Sequence, residues 1–180
     1  FIGRRYLPRE PDDQGTGGVF RAAVELARAQ QHLGHEVWLT AIAPQSWWRE
    51  WHGVKLVALR EAWWAPIYSK RYLIDLRTHI PMLKFCHDQN FEVVHGHEYP
   101  YLRFVPARLR VAHVHNNPFW TENTPQHWYY QIPAFRVLHR HSEVRIAVSA
   151  YVADQLQRGD RALTGRCASG QQLDEPRVVH

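Results

Sequence analysis

The sequence GVFRAAVELARAQQHLGHEVWLTAIAP, residues 18–44, decides the fold class of this protein. Its apolar residues from Val19 to Leu33 recur three and four positions apart, which is the spacing of one face of an α-helix. Gly34 stands where a glycine commonly ends a helix, and the apolar residues that follow at 36–42 are typical of a β-strand. A helix that runs directly into a buried strand is the repeating unit of an α/β protein.

The same alternation of helices and strands continues along the rest of the chain. Apolar runs predict strands at residues 54–59, 91–95, 110–115, 144–148 and 177–179, and helical patterns fall at residues 69–87, 126–140 and 150–158. Because this order requires crossover connections, we expect a three-layer α/β/α, Rossmann-like domain with a mostly parallel sheet. In such folds ligands bind at the carboxyl ends of the strands, so residues that directly follow strands are the candidates for function.

Single residues predict where some of these helices begin, break or end. Pro81 predicts a kink or a break in the helix that contains it, because proline removes a backbone donor and clashes with the preceding turn. Ser149 is placed to cap the start of the last helix, and Gly159 is placed to end it.

Composition and charge exclude several classes of protein. The 180 residues include 22 Lys and Arg against 17 Asp and Glu, a net charge of +5, without a long basic stripe or a nucleic-acid-reading module. Nucleic acid is therefore not an expected partner, whereas weak peripheral contact with an anionic membrane stays open. Cys86 and Cys167 match no metal or redox spacing. No apolar run approaches the roughly 18 residues of a membrane span, so we expect a soluble, cytoplasmic protein.

A glycine-rich segment, GTGG at residues 15–18, precedes the first helix. Glycines let a ligand approach the backbone, and a helix N-terminus offers free amides to an anion. A dinucleotide-binding loop would carry a third glycine where this chain has Phe20, and an acidic residue where residues 40–44 have none. NAD or FAD binding is therefore not expected, and the segment is either an anion-binding turn or a flexible loop.

Two pairs of histidines end neighbouring predicted strands. His95 and His97 form one pair, and His113 and His115 form the other. Residues two apart on a strand point the same way, so the pairs would bring up to four imidazoles to one edge of the sheet. Such a group has the ligand chemistry of a zinc site, and it is equally suited to hydrogen bonding with a hydroxyl-rich ligand.

The 8 tryptophans of the chain are the other notable group of residues. Five of them fall in or beside segments that we expect to be loops: Trp47, Trp48, Trp51, Trp63 and Trp64. Exposed aromatic rings stack on sugars or mark a membrane-facing or interdomain surface, whereas buried ones simply pack beneath loops.

The order of these features resembles the N-terminal part of the family 4 glycosyltransferases of GT-B fold. The glycine pair before the first helix, ELARA at residues 25–29 and GHEV at 34–37 are similar to the start of that family. FEVVHGHE at residues 91–98 resembles its following strand and loop. HVHN at 113–116 and IAVS at 146–149 resemble two later strand ends. The resemblance extends over nearly the whole chain.

The resemblance implies that residues 1–180 form the acceptor-side domain of a two-domain enzyme, with a donor-binding C-terminal domain beyond the end of the chain. Enzymes of this kind are hexosyltransferase-like. They transfer a sugar from a nucleotide-sugar donor to a hydroxyl of a glycan, lipid-linked or small-molecule acceptor, with retention of configuration and without a metal or other cofactor. The chain by itself would then be inactive.

Roles for individual residues also follow from the resemblance alone. By position, Gly17 and Gly18 would lie near the donor diphosphate, and His115 would be the catalytic residue near the transferred sugar. Four further residues would help to bind the acceptor: His95, His97, Glu98 and Asn116.

Two alternatives from other classes stay open at the level of sequence. The first is a zinc-dependent hydrolase that uses both histidine pairs. The second is a non-catalytic domain that binds carbohydrate or a partner protein through its tryptophan-rich segments.

Overall fold

The computed structural model of the chain describes residues 18–66, 75–97, 102–115, 136, 138, 140–164 and 177–178. The chain divides into two compact units, the first comprising residues 1–69 and 74–89, and the second comprising residues 70–73 and 90–180. Both units combine helices with β-strands, and most of the paired strands are parallel. The predicted α/β, Rossmann-like fold class with a mostly parallel sheet is therefore confirmed.

The first unit contains a three-stranded sheet in the order β1-β3-β2. Its elements are α1 (Gly18–His32), β1 (Trp38–Ala43), β2 (Trp47–Trp51), β3 (Val54–Arg60) and α2 (Leu76–Gln89). β1 is parallel to β3, whereas β2 is antiparallel to it. The apolar face of α1 that the sequence predicts lies in a core with the strands, and the buried members are Phe20, Ala23, Val24, Ala27, Leu39, Ala41, Trp51, Val54 and Leu56.

The predicted loop around Trp47, Trp48 and Trp51 is wrong, because this segment is strand β2. The reason lies in the turn that follows it. His52 and Gly53 have φ angles of 46° and 76° and join Trp51 to Val54, its partner across the hairpin. Two consecutive residues with positive φ form a tight turn whose twist matches that of paired strands, and a glycine at the second position adopts it without strain.

The predicted break at Pro81 is also wrong, since α2 continues from Leu76 to Gln89 with Pro81 inside it. A proline deprives the carbonyl four residues earlier of its usual helical donor, and here that carbonyl belongs to Arg77. The backbone amide of Ala62 donates to the Arg77 oxygen instead, over 2.9 Å. A backbone group outside the helix thus satisfies the carbonyl, which removes part of the cost of the proline.

The second unit contains a four-stranded parallel sheet in the order β4-β5-β6-β7. Its elements are β4 (Val93–Gly96), β5 (Leu109–Val114), β6 (Val144–Ala147), α3 (Ala150–Thr164) and β7 (Arg177–Val178). Each of these strands begins or ends within three residues of its predicted position. The buried Val111, Ala112 and Ala147 lie on the two central strands.

Helix α3 begins as predicted and ends later than predicted. The Ser149 hydroxyl accepts a hydrogen bond from the Val152 amide at 3.2 Å, which confirms Ser149 as the cap. The predicted end at Gly159 is wrong, because the helix continues to Thr164. Gly159 is buried, and the next residue, Asp160, forms an ion pair with Arg145 of β6. Such tertiary contacts outweigh the roughly 1 kcal/mol that a glycine costs inside a helix.

Two further expectations concern the helix predicted at residues 126–140 and the absence of membrane spans. Of the helix predicted at residues 126–140, only residues 136, 138 and 140 lie within the described part, and all three are helical. Within the described residues, each helix is too short or too polar to cross a lipid bilayer.

Gly96 at the end of β4 is required by a close approach of another side chain. A Cβ atom at this position would lie 2.7 Å from Cγ of Leu102, which is almost completely buried and cannot move away into solvent. We therefore expect Gly96→Ala to lower the free energy of unfolding by about 1–3 kcal/mol through overpacking, as measured by urea denaturation.

Gly18→Ala is the matched control for that substitution. A Cβ atom at Gly18 would meet no other atom within 4 Å, so this variant should leave the stability nearly unchanged. Equal stabilities for the two variants would contradict the role assigned to Gly96.

Candidate functional site

The candidate site lies at the carboxyl ends of β4 and β5 in the second unit. β4 ends at Gly96, so His97 is the first residue beyond it, while His113 lies in β5 and His115 directly follows that strand. The strands are parallel, with Gly96 paired to Ala112. This register places His97 beside His113, because each is one residue further along its strand. The sequence pattern of two histidines two residues apart thus becomes a three-dimensional cluster.

The rings of His97, His113 and His115 are mutually close, and we call these three residues the histidine cluster. The ring centroid of His97 lies 5.0 Å from that of His113 and 5.0 Å from that of His115. The centroids of His113 and His115 are 4.7 Å apart. Nδ1 of His97 is 2.8 Å from Nε2 of His115, which is a hydrogen bond. One potential ligand nitrogen from each ring lies within 4.8 Å of the others.

Burial controls the protonation of two of these imidazoles, those of His97 and His113. Only 7% of His97 is exposed, and burial lowers its pKa far below the ordinary value, with a further contribution from the neighbouring rings of His113 and His115. Burial also lowers the pKa of His113. The two rings are therefore neutral at neutral pH, since a charged imidazole would be poorly solvated here. A neutral imidazole carries one N–H donor and one nitrogen acceptor, so it can hydrogen bond to hydroxyl groups or bind a metal ion.

His95 has a different environment from the histidine cluster. Burial lowers its pKa to about 4, and the nearby His113 adds a smaller repulsion. Among the described residues, however, the group of ligand nitrogens within 4.8 Å of one another comprises His97, His113 and His115 and does not include His95. The structure therefore brings together three of the four histidines in the zinc set that the sequence suggests.

The other predicted site residues are located as follows. Gly18 is the exposed first residue of α1, in the first unit. Gly17, Glu98 and Asn116 lie outside the described residues. Sequence reasoning did not anticipate the contribution of Gly96, which lets Leu102 pack against the strand end that carries His97. The signal was present in the motif itself, as a glycine between two histidines.

The tryptophan group divides into buried and exposed members. Trp51 belongs to the core of the first unit, with the Arg28 guanidinium 5.6 Å from its ring centroid. Trp48, Trp63 and Trp64 are about two-thirds or more exposed. The exposure that a surface role requires is therefore found at these three residues and not at Trp51.

Comparison with known proteins identifies the family. The family model described as Glycosyltransferase Family 4 matches residues 16–162, which is most of the chain and includes α1, both histidine pairs and nearly all of α3. No curated protein matches the chain. The matched region contains the glycine pair and the two strand ends on which the resemblance was based. From the extent of this match, together with its α/β fold, the chain belongs to glycosyltransferase family 4.

Proposed function

We propose that this chain is the acceptor-side domain of an enzyme that transfers a sugar from a nucleotide-sugar donor to a hydroxyl acceptor, with retention of anomeric configuration. The observation that carries the proposal is the histidine cluster at the carboxyl ends of β4 and β5, in a chain that belongs to a glycosyltransferase family. The buried His97 and the half-buried His113 are neutral, and neutral imidazoles at the end of a parallel sheet are suited to bind the hydroxyl groups of a sugar, because each such ring offers a donor and an acceptor.

His115 is the proposed catalytic residue. Its hydrogen bond with His97 restrains the orientation of its ring, and restrained groups lose less entropy when they bind a reacting sugar. In the transfer, the bond between the anomeric carbon and the donor diphosphate breaks, and the same carbon bonds to the acceptor oxygen. The proton of the acceptor hydroxyl passes to the departing diphosphate. His115 would hydrogen bond to the transferred sugar as positive charge develops on it. No step of the proposed transfer uses a metal ion or another cofactor.

The remaining roles follow the family resemblance. We assign Gly17 and Gly18 to the donor diphosphate, since the amides at the start of α1 suit an anionic group. His95, His97, Glu98 and Asn116 are assigned to the acceptor. The donor sugar is bound mainly by a second domain in this kind of enzyme, so full activity is expected of the intact protein and not of the chain alone. We place the enzyme in the cytoplasm, with weak peripheral contact to anionic membranes through its +5 charge.

The test is a transfer assay on the intact protein with a panel of nucleotide sugars and hydroxyl acceptors. We expect release of nucleoside diphosphate that depends on the acceptor, and a glycosylated product with the donor's anomeric configuration as measured by NMR coupling constants. A reaction mixture without acceptor is the control. An inverted product would contradict retention, and hydrolysis of a substrate without sugar transfer would favour the hydrolase alternative.

A further inference from the structure

We propose that His97, His113 and His115 form a binding site for a divalent transition-metal ion of the Zn²⁺ type. This inference goes beyond the proposed function, in which no metal takes part. An ion bound here would occupy nitrogens of His97 and His115, so the proposed sugar transfer uses the metal-free site. It rests on the arrangement of the three rings, whatever reaction the protein catalyses.

The spacing of the three nitrogens is close to that of a metal site. In tetrahedral zinc centres, imidazole nitrogens lie about 2.0–2.1 Å from the ion, which puts neighbouring ligand nitrogens about 3.3–3.4 Å apart. In the histidine cluster, the hydrogen-bonded nitrogens of His97 and His115 are 2.8 Å apart, and all three ligand nitrogens lie within 4.8 Å of one another. The 2.8 Å spacing is shorter than the required one, and the 4.8 Å limit on the other spacings includes it. Binding one tetrahedral ion would require the three nitrogens to adopt a common spacing of about 3.3–3.4 Å.

The backbone already positions the ligands on two adjacent strands. His113 and His115 lie two residues apart at the end of β5, and His97 follows β4, which is paired with β5 through Gly96 and Ala112. Ligands on paired strands are held by the sheet hydrogen bonds, so little further ordering is needed when an ion binds. Three protein ligands also leave the fourth position of a tetrahedral ion to water or another ligand.

A second observation concerns His113, the ring that takes no part in the hydrogen bond between His97 and His115. Nδ1 of His113 is buried and has no hydrogen-bond partner among the described residues. A buried polar atom without a partner is energetically costly, and binding an ion is one way to satisfy such a nitrogen. His113 is also the member of the cluster to which the proposed sugar transfer assigns no role.

The ligand set also selects among metals. Imidazole nitrogens suit Zn²⁺, Co²⁺, Ni²⁺ and Cu²⁺, whereas Mg²⁺ and Ca²⁺ require oxygen ligands. The described ligands of the cluster are nitrogen only. We therefore expect Zn²⁺ and Co²⁺ to bind, and Mg²⁺ not to displace them.

The experiment titrates the purified, metal-free intact protein with Co²⁺ and follows the visible absorption that four-coordinate Co²⁺ produces. We expect one equivalent to bind at the cluster and Zn²⁺ to displace it, while a large excess of Mg²⁺ has no effect. His113→Asn should weaken Co²⁺ binding at least tenfold. His87→Asn, at an exposed histidine of α2, is the matched control and should bind as the wild type does.

Folding of the variants is checked by circular dichroism, and X-ray absorption of the Zn²⁺-loaded wild type supplies a measurement that needs no variant. The proposal predicts a shell of about three imidazole nitrogens at about 2.0–2.1 Å from the ion. Equal Co²⁺ affinity in the wild type and His113→Asn would overturn the proposal, as would an absorption spectrum showing oxygen ligands only. Because none of these readouts measures sugar transfer, failure of the metal site and failure of the proposed function are distinguishable.

Discussion

Replacing His115 with alanine is expected to lower kcat for sugar transfer by about 100-fold or more, which is the usual range for loss of a side chain that assists the reacting group. The variant loses the imidazole proposed to contact the transferred sugar, and it also leaves His97 without its 2.8 Å hydrogen-bond partner. If the interaction acts mainly in the transition state, kcat falls while the KM for the donor changes little. Steady-state kinetics on the intact protein measures both constants.

Two controls accompany this prediction. His87→Asn changes an exposed histidine on α2 and should keep the wild-type kcat. His97→Ala should raise the KM for the acceptor more than it lowers kcat, because His97 is assigned to acceptor binding. Unchanged transfer by His115→Ala would remove this residue from the mechanism. An equal rise in the KM for every substrate would indicate a purely structural role.

Asp160→Asn is expected to destabilise the second unit by about 3–5 kcal/mol, the usual cost of removing one partner from a buried ion pair. The Asp160 carboxylate lies 2.8 Å from the Arg145 guanidinium, and the two side chains are only 13% and 10% exposed. Asparagine keeps the volume of the side chain and removes its charge, so the arginine loses its counter-charge in a place where water cannot replace it. Urea denaturation measures the change in the free energy of unfolding.

Helix α3 contains a second ion pair that serves as a control, because its charged atoms are equally close but its side chains are more exposed. Asp154 and Arg158 also form an ion pair at 2.8 Å on α3, but these side chains are 46% and 52% exposed. Exposed pairs of this kind contribute about 0.3–0.5 kcal/mol, so Asp154→Asn should have a small effect. Similar destabilisation by the two variants would show that burial does not govern the strength of the Arg145–Asp160 pair.

Much of the fold is predictable from the sequence because it depends on local patterns. The apolar periodicity of α1 and its end before Gly34 require no knowledge of the rest of the chain. Its last turn is closed by backbone amides of residues 33–35 that donate to carbonyls of Ala29, Gln30 and Gln31. The short apolar strands β4, β5 and β6 were recognisable for the same reason. Their side chains must be apolar to be covered on both faces of a parallel sheet.

The errors at Pro81 and Gly159 arise where a contact distant in sequence outweighs a local preference. Pro81 remains inside α2 because the Ala62 amide supplies a donor for the carbonyl that proline leaves unpaired. Gly159 remains inside α3 because residues around it are buried and Asp160 bonds to Arg145. In each case the partner lies 15 or more positions away, where no local pattern can reveal it.

The sequence by itself determined the α/β class, the placement of histidines at the ends of two strands, and the resemblance to a glycosyltransferase family that the comparison confirmed. Only the tertiary structure decided that His97, His113 and His115 form one cluster without His95. The physical reason is register: alternation along a strand places side chains on a face, but the pairing of β4 with β5 decides which rings meet. That pairing is a contact between distant segments, and it converts two sequence motifs into one site.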